Sequence, residues 1–179
     1  MLAAPSVRAE GFDFTPLESF YEVEGVRMPR WQFHNDGKPV FYTAPTGWRP
    51  SGRGKQLTLI PPQTVQAGAT FEAEPTGHER LAATTENVRA FRERATTLLP
   101  PEAQKVEITS AAMSTLRISN HPAVEVFLDY TLAAQPFRMC VIFIPHGEEL
   151  LRISVAAHAK DFAALEKTFR RSLYSLQGL

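Results

Sequence analysis

The sequence of 179 residues lacks the features that mark several common classes of protein. It has one cysteine, Cys140, so no disulfide can form within the chain. No apolar run approaches the roughly 20 residues that a membrane-spanning helix needs. The 19 basic residues equal the 19 acidic ones, and a net charge of zero argues against a nucleic-acid partner. The chain also lacks internal repeats and any shift in composition that would divide it, and its length of 179 residues suits a single domain.

The stretch from His121 to Ser175 predicts three strands and one helix. Apolar residues alternate over 123–132 and 137–144, and a third strand falls at 151–155. Short connections between these strands predict antiparallel pairing. The apolar period then changes from two to about 3.6, which predicts an amphipathic helix. Its apolar stripe consists of Phe162, Leu165, Phe169, Leu173 and Leu176.

The first two of these strands differ in the polarity of the face opposite the apolar one. Glu125 and Asp129 lie opposite the apolar face of the strand at 123–132, which predicts a polar outer surface. The strand at 137–144 is apolar on both faces and is therefore predicted to be central. Cys140 lies within it, so we expect a buried and unreactive thiol.

The first half of the chain gives weaker patterns. Residues 10–29 show no clean period and are predicted to be irregular, with one short strand as the alternative. Asp36-Gly37 between apolar runs predicts a hairpin, and a loop is predicted to continue to Lys55. Strands at 56–60 and 69–74 precede a helix, for which Thr76 and Glu79 have the spacing of a capping box. The helical stripe comprises Leu81, Val88, Phe91, Ala95 and Leu98.

The segments at 105–110 and 113–119, before the stretch that begins at His121, are predicted to form two further strands or one bent strand. The order of elements is therefore strands, helix, strands and helix. This order predicts an α+β domain with an antiparallel sheet and helices packed on it.

Residues 1–9 resemble the end of a secretory signal peptide that is cleaved after Ala9. This pattern predicts an exported, periplasmic or secreted protein. The alternative is a short disordered leader on a cytoplasmic protein.

The order of several structural motifs resembles the PsbP-like superfamily. That superfamily includes the PsbP proteins of the oxygen-evolving complex, the bacterial DcrB-like envelope proteins and a Ran-binding relative. The motifs span about residues 30–177. They comprise Tyr42 to Pro45, Gly47, Trp48, the mid-chain helix, the turn at Asn120, Pro122 and Ala123, the long hairpins, and Phe162, Leu165, Phe169 and Ser175 of the last helix.

The resemblance implies a single domain over residues 30–179 with an α/β/α sandwich around a central antiparallel sheet. It also implies a non-catalytic accessory or binding protein, because the characterised members are mostly of that kind. It supplies no catalytic residue, cofactor or metal ligand for this chain.

The residues themselves give no clear catalytic or metal motif. Gly52-Arg53-Gly54-Lys55 lacks the upstream glycine and the following Ser or Thr of a phosphate loop. The five histidines are scattered, and the nearest to a cluster is His146 with Glu148 and Glu149 in a predicted turn. No Gly-x-Ser-x-Gly motif is present. We therefore expect no enzyme activity, no cofactor and no metal.

The remaining candidate is a partner-binding surface formed by Trp48, Arg49, Arg53 and Lys55. Three basic side chains on a predicted loop near aromatic residues can hold an acidic partner or an anionic headgroup. The sequence thus predicts a non-catalytic, exported binding or assembly-accessory protein with a protein partner in the cell envelope. Two alternatives stay open: a small hydrolase that uses His146 or His158, and a cytoplasmic adaptor for a nucleotide-binding protein.

Overall fold

The computed structural model describes residues 11–76 and 81–179. Within these residues the chain forms ten strands, two α-helices and one short 3-10 turn at Leu173–Ser175. The elements are β1 Phe12–Val23, β2 Val26–Asn35, β3 Lys38–Tyr42, β4 Arg49–Arg53, β5 Gln56–Ile60, β6 Gly68–Pro75, α1 Val88–Thr96, β7 Gln104–Met113, β8 Val124–Leu132, β9 Gln135–His146, β10 Glu149–His158 and α2 Ala159–Ser172.

The strands form two antiparallel sheets. The smaller sheet has the order β1-β2-β3, and the larger sheet has the order β4-β5-β6-β10-β9-β8-β7. Neighbouring strands pair antiparallel throughout both sheets. The predicted α+β class with antiparallel pairing is therefore confirmed.

The prediction for the last third of the chain is confirmed element by element. β8, β9 and β10 form consecutive hairpins, and α2 follows directly. The turn between β8 and β9 places Ala133 and Ala134 at φ 48° and 61°, the left-handed geometry that suits a tight hairpin. Asp161 lies in the first turn of α2, where a carboxylate interacts favourably with the helix dipole.

The prediction for residues 10–29 was wrong. This segment contains β1 and the first four residues of β2, Val26–Pro29. The two strands pair from Phe12 with Asn35 to Val23 with Val26. Glu24 and Gly25 join them with φ 51° and 80°, the left-handed pair that a two-residue hairpin turn requires. The period was hidden because the register shifts between Asp13 and Leu17, which breaks the alternation along β1.

Three other boundaries differ from the prediction. The segment predicted to be a loop up to Lys55 contains β4. The strand predicted at 105–110 continues to Met113, and residues 114–119, predicted to be a strand, form none. α1 begins at Val88, well after the predicted capping box. Glu79 of that box lies outside the described residues, as does the predicted leader at residues 1–9.

The two helices pack against the larger sheet in two different apolar clusters. Val141 and Phe143 of β9 pack in one apolar cluster with Phe91 of α1. Ile142, which alternates with them along the strand, packs in a second cluster with Phe162 of α2. The smaller sheet joins the second cluster through five buried residues. These are Phe12, Phe14, Phe33, Val40 and Tyr42.

Candidate functional site

Trp48 lies in the core and not on a binding surface. Its side chain is 7% exposed, and its ring stacks on Phe169 of α2 with centroids 5.8 Å apart. The contact joins the entry to β4 to the closing helix. The sequence placed Trp48 in the partner-binding set, and the structure removes it from that set, since a buried indole cannot contact a partner.

Arg49 and Arg53 lie on β4, the first strand in the order of the larger sheet. Residues four apart on a strand share a face, so both arginines and the intervening Ser51 point the same way. All three are exposed. Within residues 11–76 and 81–179, neither guanidinium forms an ion pair. Two positive charges therefore face solvent about 13 Å apart along the strand.

β5 completes this surface. Ile60, Thr58 and Gln56 pair with Arg49, Ser51 and Arg53 in turn. Ile60 is 52% exposed, so the surface offers an apolar group beside the two charges. A shallow cavity of about 440 Å³ lies over the hairpin. We call this surface the β4 face, and it consists of Arg49, Ser51, Arg53, Gln56, Thr58 and Ile60.

Gly52 allows β4 to sit against β1. A Cβ at this position would lie 2.7 Å from the Gln56 carbonyl oxygen and 2.8 Å from that of Phe14. The Phe14 amide donates to the Gly54 carbonyl at 2.6 Å. The glycine that superficially suggested a phosphate loop therefore serves close backbone packing.

Lys55 belongs to a different surface from the two arginines. Its Nζ lies 2.5 Å from Oε1 of Glu149 at the start of β10. The other carboxylate oxygen of Glu149 accepts a hydrogen bond from the Phe12 amide at 2.9 Å. Lys55 and Glu149 line a cleft of about 730 Å³ between the β2–β3 turn, the β4–β5 turn and the β9–β10 turn.

His146 lies in this cleft, beside a buried amide. Its Nε2 is 2.9 Å from Nδ2 of Asn35, which is only 6% exposed. Its buried Nδ1 has no hydrogen-bond partner among the described residues. The ring of His121 approaches edge-on, with centroids 4.8 Å apart. Burial and the nearby His121 lower the pKa of His146, while Asp36 and Glu149 oppose that shift. The folded environment therefore favours the neutral imidazole more than water does.

The predicted cluster of His146, Glu148 and Glu149 is thus brought to one cleft. The sequence did not indicate that Asn35 and Lys55 reach this cleft from distant turns, since Asn35 was no candidate and Lys55 was placed with the two arginines. The Asp36-Gly37 turn was visible in the sequence, but its position against the β9–β10 turn was not. Chemically, the hydrogen-bond partner of His146 Nε2 is the amide of Asn35 and not the hydroxyl or thiol of a nucleophile.

A second polar cluster lies beneath α2. Glu125, Cys140 and Glu166 each present a ligand-type atom within 4.8 Å of the others. Arg170 pairs with Glu125, and its Nε lies 2.5 Å from Oε1 of Glu166. Burial raises the pKa of the Cys140 thiol and of the Glu166 carboxyl. The guanidinium supplies the positive charge that a cation would bring, so the group is a structural ion pair.

This cluster corrects the prediction of a polar outer face on β8. The Glu125 side chain is only 13% exposed, because α2 and Arg170 cover it. Asp129 on the same strand face is 36% exposed and pairs with Arg138 at 2.5 Å. One end of that face is therefore covered, and the other contacts solvent.

Comparison with solved structures identifies the fold. Protein PA94 of Pseudomonas aeruginosa, described as a putative regulator of unknown function, is 10% identical with a TM-score of 0.54, and 90% of this chain aligns with 97% of that one. Cyanobacterial PsbP from Synechocystis is 9% identical with a TM-score of 0.54, and the alignment covers 100% of this chain and 98% of that one. The chain therefore has a PsbP-like fold. No protein-family model and no curated protein matches the sequence.

Proposed function

We propose that the protein is a non-catalytic binding or assembly-accessory protein that holds an acidic protein partner on its β4 face. The observation that carries the proposal is the pair of exposed arginines, Arg49 and Arg53, without an acidic partner in the described part of the chain. Guanidinium groups form paired hydrogen bonds with carboxylates, which suits them to an acidic surface. The exposed side chain of Ile60 on β5, opposite Arg49, adds an apolar contact for the partner.

The scaffold supports a binding role. In the proposal it is an α/β/α sandwich, because Phe91 of α1 and Phe162 of α2 are buried on opposite faces of the larger sheet. Its strands hold the two arginines at a fixed separation, and a rigid surface loses little entropy on binding. The solved structures of similar fold include PsbP and a putative regulator.

We also propose that the protein works in the cell envelope. The support is the pattern at residues 1–9, with small residues before Glu10 as at a signal-peptide cleavage site. No described helix is long and apolar enough to cross a membrane. Mass-spectrometric mapping of the amino terminus of the native protein tests this part. A mature chain that starts at Glu10 supports export, and one that starts at Met1 contradicts it.

A second candidate function, a small hydrolase, is favoured by one observation. The cleft gathers His146 with Asp36 and Glu149. Against it, Asn35 occupies Nε2 of His146, and Glu149 already contacts Lys55 and the Phe12 amide. Ester hydrolysis by the wild type that is lost in His146→Gln would support the hydrolase, and equal rates in both proteins would exclude it.

The experiment for the β4 face is affinity capture from solubilised envelope fractions of the source cells. The bait is the chain from Glu10 onward, and the variant is Arg49→Glu with Arg53→Glu. We expect one stoichiometric partner with an acidic surface to bind the wild type and to be lost with the variant. The matched control is Arg92→Glu with Arg171→Glu, which makes the same charge change at two other exposed arginines.

Retention of the partner by the Arg49 and Arg53 variant would contradict the proposed surface. Equal loss with the Arg92 and Arg171 control would show that only net charge matters, which also contradicts it. The melting temperature of both double variants should stay within about 2 °C of the wild type, because changes at exposed positions away from caps and buried networks cost little.

A further inference from the structure

The β1–β2 hairpin extends beyond the core and carries much of the exposed apolar surface. We call residues 17–30 the arm, and none of them is buried. Nine large apolar side chains are exposed in the described part of the chain, and five belong to the arm. These are Leu17, Phe20, Val23, Val26 and Met28, at 41–58% exposure. Clustered exposed apolar residues mark interaction surfaces.

The outer edge of β1 in the arm pairs with no other described strand. β1 is the end strand of the smaller sheet, and its first residues contact β4 through Phe14 and Gly54. Beyond that point, the described backbone pairs residues 17–23 only with β2. Val23 and Val26 flank a two-residue turn, so their amides face each other across the hairpin. Because successive amides of a strand point to opposite sides, the amides of Glu18, Phe20 and Glu22 point to the free edge.

This edge is acidic on one face and apolar on the other. Glu18 and Glu22 share a face with Phe20, since strand residues two apart point the same way. Leu17, Tyr21 and Val23 share the opposite face. Neither glutamate forms an ion pair with a described residue.

The basic residue opposite Glu22 contacts an aromatic ring. Arg27 pairs across the hairpin with Glu22 in register, but its guanidinium lies over the Phe20 ring, 3.8 Å from the centroid. On this face the two carboxylates of Glu18 and Glu22 outnumber the single guanidinium of Arg27, so a net negative charge remains. Such charges on an edge strand also prevent like edges from joining.

We propose that the free edge of β1 in the arm binds an extended partner segment in which basic and apolar residues alternate. The segment adds to the smaller sheet as a fourth strand, and its main chain pairs with the outward amides of β1. Its Lys or Arg side chains lie beside Glu18 and Glu22, and its apolar side chains lie beside Leu17, Tyr21 and Val23. Opposite charges on adjacent strands stabilise such pairing.

A second copy of the chain fits this edge poorly. Antiparallel pairing of two β1 edges centred on Phe20 places Glu18 of one copy opposite Glu22 of the other, and the symmetry repeats this contact. Like charges directly opposite each other destabilise a strand pair. The charge pattern therefore favours a basic partner over self-association.

The inference concerns a surface separate from the β4 face, and it requires a partner of the opposite charge. The two proposals can therefore fail independently. Changes in the arm should leave capture of the acidic partner intact, and changes at Arg49 and Arg53 should leave binding to the arm intact.

The test uses two fluorescein-labelled heptapeptides and the full chain. One peptide alternates lysine and valine, and the other alternates glutamate and valine. Fluorescence anisotropy should show that the lysine peptide binds the wild type at least tenfold more tightly than the glutamate peptide. Higher salt should weaken the binding, since exposed charges are screened.

The variant is Glu18→Lys with Glu22→Lys, and we expect it to bind the lysine peptide at least tenfold more weakly than the wild type. The matched control is Glu102→Lys with Glu107→Lys, which reverses two exposed charges elsewhere and should bind like the wild type. Circular dichroism verifies that each variant is folded.

Three results would overturn the inference. Equal affinity for both peptides would show that charge complementarity plays no part. Undiminished binding by the Glu18 and Glu22 variant would place the peptide elsewhere. A dimer in sedimentation experiments that Glu18→Lys with Glu22→Lys alters would make a second copy the occupant.

Discussion

Arg170 shows at the scale of single residues how the closing helix is fixed to the sheet. Its guanidinium contacts Glu125 of β8 and Glu166 of α2, and all three side chains are at most 25% exposed. Burying one charge is costly, and the cost is offset only when partners are present. The contact therefore sets the position of α2 over β8 more than it adds to stability.

We predict that Arg170→Met destabilises the fold by about 2 kcal/mol, because two carboxylates stay together beneath α2 without a cation. Urea denaturation followed by circular dichroism measures the free energy of unfolding. The double variant Arg170→Met with Glu125→Met should recover part of the loss, since one uncompensated charge is removed. Equal stability of the wild type and the single variant would contradict the assigned ion pair.

At the scale of elements, β1 and β4 are in close backbone contact, which the sequence of the first half does not indicate. β4 and β1 approach so closely at Gly52 that the site has no room for a methyl group. This contact joins the smaller sheet to the end of the larger one. It also fixes the strand that carries Arg49 and Arg53.

Gly52→Ala should therefore destabilise the protein by about 2 kcal/mol, within the range for inserting a methyl group into a packed site. Gly68→Ala in β6 is the matched control, because the nearest atom to its new Cβ is the Leu59 carbonyl oxygen at 3.5 Å, an ordinary contact. Thermal unfolding compares the two. A similar melting temperature for both variants would show that β1 and β4 can move apart at little cost.

At the scale of the whole molecule, we expect stability to depend on the protonation of His146 in the cleft. Burial and His121 lower the pKa of His146 below its ordinary 6.5, against the opposing effect of Asp36 and Glu149. The unfolded chain therefore binds a proton at this site at a higher pH than the folded chain does. Stability from this group is complete above about pH 6.5 and is lost as the pH falls toward the folded pKa.

We predict that the wild type loses more stability than His146→Gln between pH 7.5 and pH 5, a range that spans the ordinary histidine pKa. Glutamine keeps a hydrogen-bonding group near Asn35 but cannot gain the proton. Melting curves across this pH range provide the measurement. Parallel curves for the two proteins would show that His146 is not responsible.

The sequence by itself determined the antiparallel α+β class and the elements of the last third of the chain. Their apolar residues follow a period of two along the strands and of about 3.6 along the helix, and burial of the apolar positions selects one secondary structure for each. The hairpin at Asp36-Gly37 was equally clear, because that dipeptide adopts the left-handed turn geometry at low cost. These signals are local, so they can be identified without knowledge of the tertiary contacts.

Only the tertiary structure decided which charged residues are free. From the sequence, Arg49, Arg53 and Lys55 were predicted to share one role. In the structure Lys55 contacts Glu149, 94 positions away, which separates the lysine from the two arginines. The sequence also placed Glu125 on an outer surface, which α2 covers. Such pairings depend on contacts between distant segments, and a local pattern contains no information about them. The exposed arginines and the free edge of β1 are therefore properties of the folded chain.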